Sequence, residues 1–177
     1  MILIISTNSE PFHNLEFVKP IEKILSENKI KFKTIHYSKL KSSDLPSANK
    51  IIISGTSLKD NKFLKYIKKF EWIKNCKKPI LGICAGMQII SLTFGAKIKH
   101  KTEIGFYKEN FKKEFLSLID EHEVYHLHNN YTILPRDFYS FTEGKIPQAI
   151  KHQSKEIYGV LFHPEVRNRK LIEQFAK

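Results

Sequence analysis

Three short isoleucine-rich runs constrain this chain more than any other feature. Ile2 to Ile5, Ile51 to Ile53 and Ile80 to Ile83 are each bounded by polar or glycine residues. Runs of that length and branching suit strands buried on both faces, and hence a mostly parallel sheet covered by helices. The intervening sequence agrees. Phe17, Ile21, Ile24 and Leu25 fall on one helical face, with Pro20 near the helix start or bending it. Lys31 to His36 reads as a further strand, and Asp60 as an N-cap for a helix carrying Phe63, Leu64, Ile67, Phe70 and Ile73. Alternation of this kind implies βαβ crossovers. Beyond Gly95, runs near Ile98, Phe106, Val124 to Leu127, Tyr139 to Phe141 and Ala149 to Lys151 predict shorter mixed or antiparallel strands. Tyr158 to Phe162 predicts a last buried strand, and Asn168 the cap of a helix bearing Leu171, Ile172 and Phe175. With 177 residues, 41% of them hydrophobic, and no repeat or linker, a single domain over 1–177 is expected.

Composition narrows the function classes. Cys76 and Cys84 are the two cysteines, too few for a disulfide framework or a four-cysteine zinc site, so neither metal nor cofactor is expected. The opening apolar run is far too short to cross a bilayer and carries no basic leader. A cytoplasmic, reduced setting without a membrane partner follows as the expectation. The net charge of +12 raises nucleic acid as a partner, yet only Arg136, Arg167 and Arg169 among the thirty basic residues are arginine. Arginine's planar fork is the usual phosphate and base reader, and the lysines are dispersed. A solvated surface therefore fits better than nucleic-acid binding, and an acidic protein partner stays open.

The chemistry centres on Gly82-Ile83-Cys84-Ala85-Gly86, where a strand meets a helical pattern running from Ala85 towards Phe94. Small flanking residues permit the strained turn of a nucleophile elbow, which presents Cys84 at the sheet's edge. The helix dipole favours thiolate there, and the Ala85 N–H is placed to bind an oxyanion. Taken alone, the motif fits equally a small buried cysteine beside a tight turn. Phe162-His163-Pro164-Glu165 shifts the balance. Pro164 biases His163 to an extended backbone, and side chains two apart then share a side. A base and an orienting carboxylate result, and the carboxyl edge of a parallel sheet is where residues 84 and 163 can meet. Cys76 has no nearby acid or base and reads as structural.

Gly82-Ile83-Cys84-Ala85-Gly86-Met87-Gln88, taken with Phe162-His163-Pro164-Glu165, resembles the class I, or triad, glutamine amidotransferases over nearly the whole chain. The resemblance implies an α/β fold, a flavodoxin-like αβα sandwich. It also implies hydrolysis of glutamine's side-chain amide through a glutamyl thioester on Cys84, with ammonia passed to a synthetase. By the same resemblance Gln88 helps hold the substrate, the other reading being a polar residue on an exposed helix face. Lys151-His152-Gln153-Ser154 and Tyr158 to Val166 are most similar to the free-standing glutaminase subunits of GMP synthases. No S-G-G-x-x-S phosphate loop is present, so a separate ATP-dependent synthetase subunit is the implied partner. His126-Leu127-His128-Asn129-Asn130 stands where that branch has Ser-His-Gly-Asp, which puts His128, Asn129 and Asn130 at the glutamine pocket. An asparagine-rich turn is an equally natural reading. The family's second oxyanion loop usually reads Gly-Gly-Pro; here Ser54-Gly55-Thr56-Ser57-Leu58 leaves Gly55 and Thr56 for that role and predicts low activity without a partner. Ser6 to Pro20 also lacks the branch's D-N-G-x-Q stretch. The same triad would equally serve a stand-alone hydrolase of γ-glutamyl amides or peptides.

Overall fold

Each isoleucine run is a strand whose side chains are buried on both faces. In the computed structural model, which describes residues 1–177, these are β1 (Ile2–Ser6), β3 (Lys50–Ile53) and β4 (Ile80–Ile83), with β2 (Phe32–His36) between the first two in sequence. They are followed by β5 (Ile98–Phe115), β6 (Leu118–Thr132), β7 (Phe138–Ser140), β8 (Ala149–His152) and β9 (Ile157–Val160). Seven strands form one sheet in the order β2-β1-β3-β4-β9-β8-β7. The first five in that order pair in parallel, and β8 runs antiparallel to both of its neighbours.

The helices are α1 (Asn14–Phe17), α2 (Lys19–Glu27), α3 (Ala85–Thr93) and α4 (Arg169–Ala176). Period-two alternation along β1 divides the core. Ile2 and Ile4 pack with Ile21, Ile24 and Leu25 of α2 and with Leu171, Ile172 and Phe175 of α4. Leu3 and Ile5 face the opposite layer, with Phe63, Phe70, Ile73 and the apolar side of α3. The result is the flavodoxin-like αβα sandwich. Pro20 falls in the first turn of α2, where its missing N–H has no intrahelical bond to make. No helix is long and apolar enough to cross a membrane.

Three sequence expectations change. Lys62–Asn75 is a run of 3-10 turns kinked at Tyr66, not an α-helix. Its aromatic and β-branched residues are weak helix formers, and burial of Phe63, Phe70 and Ile73 fixes the segment instead. Asp60 accepts the Lys62 N–H at 3.2 Å, but Asn61 is the cap residue and the Asp60 carboxylate is committed elsewhere. Second, the segments around Ile98, Phe106 and Val124 are not short strands but one long antiparallel hairpin of 18 and 15 residues. Its turn, Leu116-Ser117, takes positive φ angles of 47° and 79° without glycine or asparagine, so the usual hairpin signature is missing. Third, Asn168 occupies the cap position of α4, but its side chain makes no cap bond and donates instead to the Glu123 carbonyl at 3.2 Å.

Candidate active site

The site lies where β3, β4 and β9 end at the carboxyl edge of the sheet. Close contact between α3 and β4 sets it up. A Cβ at Gly82 would lie 2.5 Å from the Gly86 backbone, and one at Gly86 would lie 2.2 Å from the Ile53 carbonyl oxygen. Side chains at either position would push the helix off the strand. Cys84, between them, has φ 48° and ψ −103°, the strained turn expected of an elbow. Its N–H donates to the Val160 carbonyl at 2.7 Å, which fastens the elbow to β9.

The chain leaving β9 carries His163 and Glu165, both buried. His163 Nδ1 and Glu165 Oε1 are 2.7 Å apart, and the His163 N–H donates to the Tyr125 carbonyl of the hairpin at 2.8 Å. The third wall is Gly55. A Cβ there would lie 2.6 Å from His163 Cε1 and 3.4 Å from Cys84 Cβ, so only glycine leaves the imidazole its seat. Burial would lower the His163 pKa, but the charges of Glu165 and Cys84 outweigh it and raise it well above 6.5. Cys84 Sγ points to the Leu127 carbonyl at 3.7 Å, and His163 Nε2 has no hydrogen-bond partner. The raised pKa favours an imidazolium, with the proton that the thiol gives up held beside Cys84.

Beside the thiol is a cavity of about 20 Å³, room for about one water molecule. Thr56, Ala85 and Gln88 line it, as do His128, Asn129 and Asn130. Every residue singled out from the sequence therefore borders either the cavity or the histidine. Gln88 is buried rather than on an exposed helix face, and its Nε2 donates to the Asn130 carbonyl at 2.9 Å. Asn129 Nδ2 donates to the Leu58 carbonyl at 3.1 Å, and Asn130 Nδ2 to Asn61 Oδ1 at 3.3 Å. These bonds draw the hairpin over the Thr56 loop and keep the cavity small.

Residues 13–175 match the family model described as glutamine amidotransferase class-I. The chain belongs to the class-I glutamine amidotransferase family. A subunit of the glutamine-hydrolyzing GMP synthase of Methanosphaera stadtmanae is 37% identical over 127 residues, 60% of this chain and 68% of that one. The glutamine-hydrolyzing GMP synthase of Staphylococcus saprophyticus is also 37% identical, over 103 residues that are 54% of this chain and only 20% of that protein. Among solved structures, a Thermoplasma acidophilum protein described as a GMP synthase subunit superposes with a TM-score of 0.85 at 27% identity, covering 99% of this chain and 92% of that one.

Within this class-I glutamine amidotransferase, supporting contacts carry no signal in the sequence. The Gly55 carbonyl accepts from Thr7 Oγ1 and from Ser54 Oγ, each at 2.9 Å. Asp60 receives the Ser9 N–H at 2.6 Å, the Ser9 hydroxyl at 2.5 Å and Thr56 Oγ1 at 2.9 Å. Burial would raise the Asp60 pKa, but the Ser9, Thr56 and Lys62 donors hold it below its ordinary value. The hydroxyls of Thr7 and Ser54 thus set one face of the Gly55-Thr56 peptide. Because the peptide is planar and trans, the Thr56 N–H points away from them.

Proposed function

We propose that this chain is a glutaminase that acts through Cys84, His163 and Glu165 and supplies ammonia to a separate ATP-dependent synthetase subunit, that of a GMP synthase. The observation that carries the reading is the buried 2.7 Å His163–Glu165 pair, held by Gly55 against a cysteine at positive φ. Glu165 occupies Nδ1, so Nε2 is the nitrogen that takes the thiol proton as sulfur attacks the glutamine amide carbon. The N–H groups of Ala85 and Thr56 receive the oxyanion. The imidazolium gives its proton to the departing ammonia; the same nitrogen then deprotonates a water that attacks the thioester, and glutamate leaves as the C–S bond breaks and the imidazolium returns the proton to the Cys84 sulfur. Residues 1–177 supply all of these parts and constitute one glutaminase domain.

The Methanosphaera and Thermoplasma resemblances support GMP synthase as the acceptor, since both proteins are described as subunits of that enzyme. The small cavity supports partner dependence, since about 20 Å³ is less than a glutamine side chain needs. One observation favours the second reading, a stand-alone γ-glutamyl hydrolase: Thr7 and Ser54 orient the oxyanion peptide with no help from a partner. Glutamate release by the intact chain and by Cys84→Ala, each with and without a GMP synthetase subunit, separates the two. We expect activity that rises with the synthetase and falls to background in Cys84→Ala. Full turnover of γ-glutamyl conjugates but not of glutamine, unaffected by any synthetase, would establish the hydrolase instead.

A further inference from the structure

The hairpin gathers four ionisable side chains to which the proton transfers of the glutaminase reaction assign no part, although His128 also borders the cavity beside the thiol. His126 and His128 are two apart on β6 and share a face. Glu103 is the register partner of His128, and Gly105 that of His126, so one imidazole faces a carboxylate and the other a position with no side chain. Both histidines are buried. His126 Nδ1 lies 3.1 Å and His128 Nε2 lies 3.2 Å from the same oxygen, Glu103 Oε2. All three donor atoms fall within 4.8 Å of one another. Behind them, Glu109 Oε1 is 3.4 Å from His126 Nε2, and the Tyr107 ring stacks on His126 at 4.6 Å.

Hydrogen bonds join His126 Nδ1 to Glu103 at 3.1 Å but account for only part of this cluster. Despite its 3.2 Å approach, His128 Nε2 has no hydrogen-bond partner, and neither has His126 Nε2 or Gln148 Oε1, whose amide nitrogen donates to Glu103 at 3.0 Å. A buried nitrogen left without a partner is destabilising. Ligands held at about 2.0–2.1 Å by a tetrahedral cation stand roughly 3.3 Å from each other, close to both observed separations. A cation on His126 Nδ1 also requires the proton on Nε2, which then faces Glu109, the arrangement of a metal-bound histidine backed by a carboxylate. We propose that Glu103, His126 and His128 bind a divalent transition-metal cation of the zinc type, with Glu109 as the carboxylate behind His126. Two imidazoles and one carboxylate suit zinc or cobalt rather than calcium or magnesium, which take all-oxygen sets. The site joins β5 to β6 on either side of Leu127, the residue whose carbonyl meets the Cys84 thiol.

Cys84 and His163 are themselves able to bind zinc, so the test uses the tag-free, chelator-stripped chain carrying Cys84→Ala. Titration with Zn2+ is followed by calorimetry, and titration with Co2+ by visible absorption. We expect one equivalent to bind, a tetrahedral cobalt spectrum without a thiolate band, and a raised melting temperature. His126→Asn and Glu103→Gln in that background should weaken binding at least about 100-fold, and Glu109→Gln, which keeps all three ligands, about 10–100-fold. Circular dichroism establishes that each variant is folded. Absence of stoichiometric binding by the Cys84→Ala chain overturns the site, as does binding that Glu109→Gln and Glu103→Gln leave unchanged.

Discussion

His163 sits between a carboxylate and a sulfur, out of contact with solvent. Unfolded, its imidazole loses its proton near pH 6.5; folded, it holds the proton to a higher pH. Below about pH 6.5 both states are protonated and the Glu165 pair contributes its full stabilisation, which disappears as the pH rises through the folded value. The difference in unfolding free energy between the parent chain and Glu165→Gln should therefore shrink with rising pH across that window, measured by chemical denaturation. A difference that widens would show that His163 is neutral when folded. Activity of Glu165→Gln should fall by up to about 10⁴-fold, because the tautomer is no longer fixed. Thr7→Val acts on the Gly55-Thr56 peptide instead. It keeps the shape of the side chain but frees one bond on the Gly55 carbonyl, and should lower kcat by less than the ~10²–10³-fold cost of losing an oxyanion donor, with KM little changed. Equal losses in the synthetase-bound and free chain would show that the partner does not take over this orientation. The motifs around Cys84 and around His163 and Glu165 were legible as local spacings, and only the two taken together pointed to a site. Thr7 was not, because its partners Ser54 and Gly55 are remote in sequence and a lone threonine carries no motif. Glu103 and His126 were invisible as a metal-ligand set for the same reason: strand register, not spacing, brings them together.

At the scale of elements, the hairpin is tied to the sheet by backbone hydrogen bonds, such as His163 N–H to the Tyr125 carbonyl, and by aromatic packing. Phe111 is fully buried, with its ring centroid 6.4 Å from Phe115 and 6.3 Å from Phe162, the residue preceding His163. Phe111→Ala should cost about 3–5 kcal/mol in urea unfolding. Through Phe162 it should also reduce glutamine turnover by more than the loss of folded protein explains. Retention of full specific activity would show that the hairpin and the histidine are mechanically independent. The strands buried on both faces were readable as isoleucine runs. The hairpin was not, since most of β5 is exposed and a two-sided polar strand has no apolar alternation to read. Lys62–Asn75 misled in the opposite sense: its apolar residues recur at three and four, a spacing that 3-10 turns and α-helices both produce.

Across the whole molecule, thirty basic residues oppose eighteen acidic ones, and the resulting +12 repels itself. Moderate salt shortens the range of that repulsion, so raising sodium chloride from about 10 to about 150 mM should raise the melting temperature. A fall would mean that the dispersed ion pairs outweigh the net charge. The layered architecture was legible because alternating strand and helix patterns admit few arrangements. The strand order was not, because β9 enters between β4 and β8 only through pairings with distant segments. That insertion has a consequence for biosynthesis. While the hairpin, β7 and β8 are still being made, β4 offers an isoleucine-lined edge with no neighbour to complete it. The nascent chain is then most exposed to pairing with other chains, and this interval, rather than the finished protein, is where a chaperone would have its purpose.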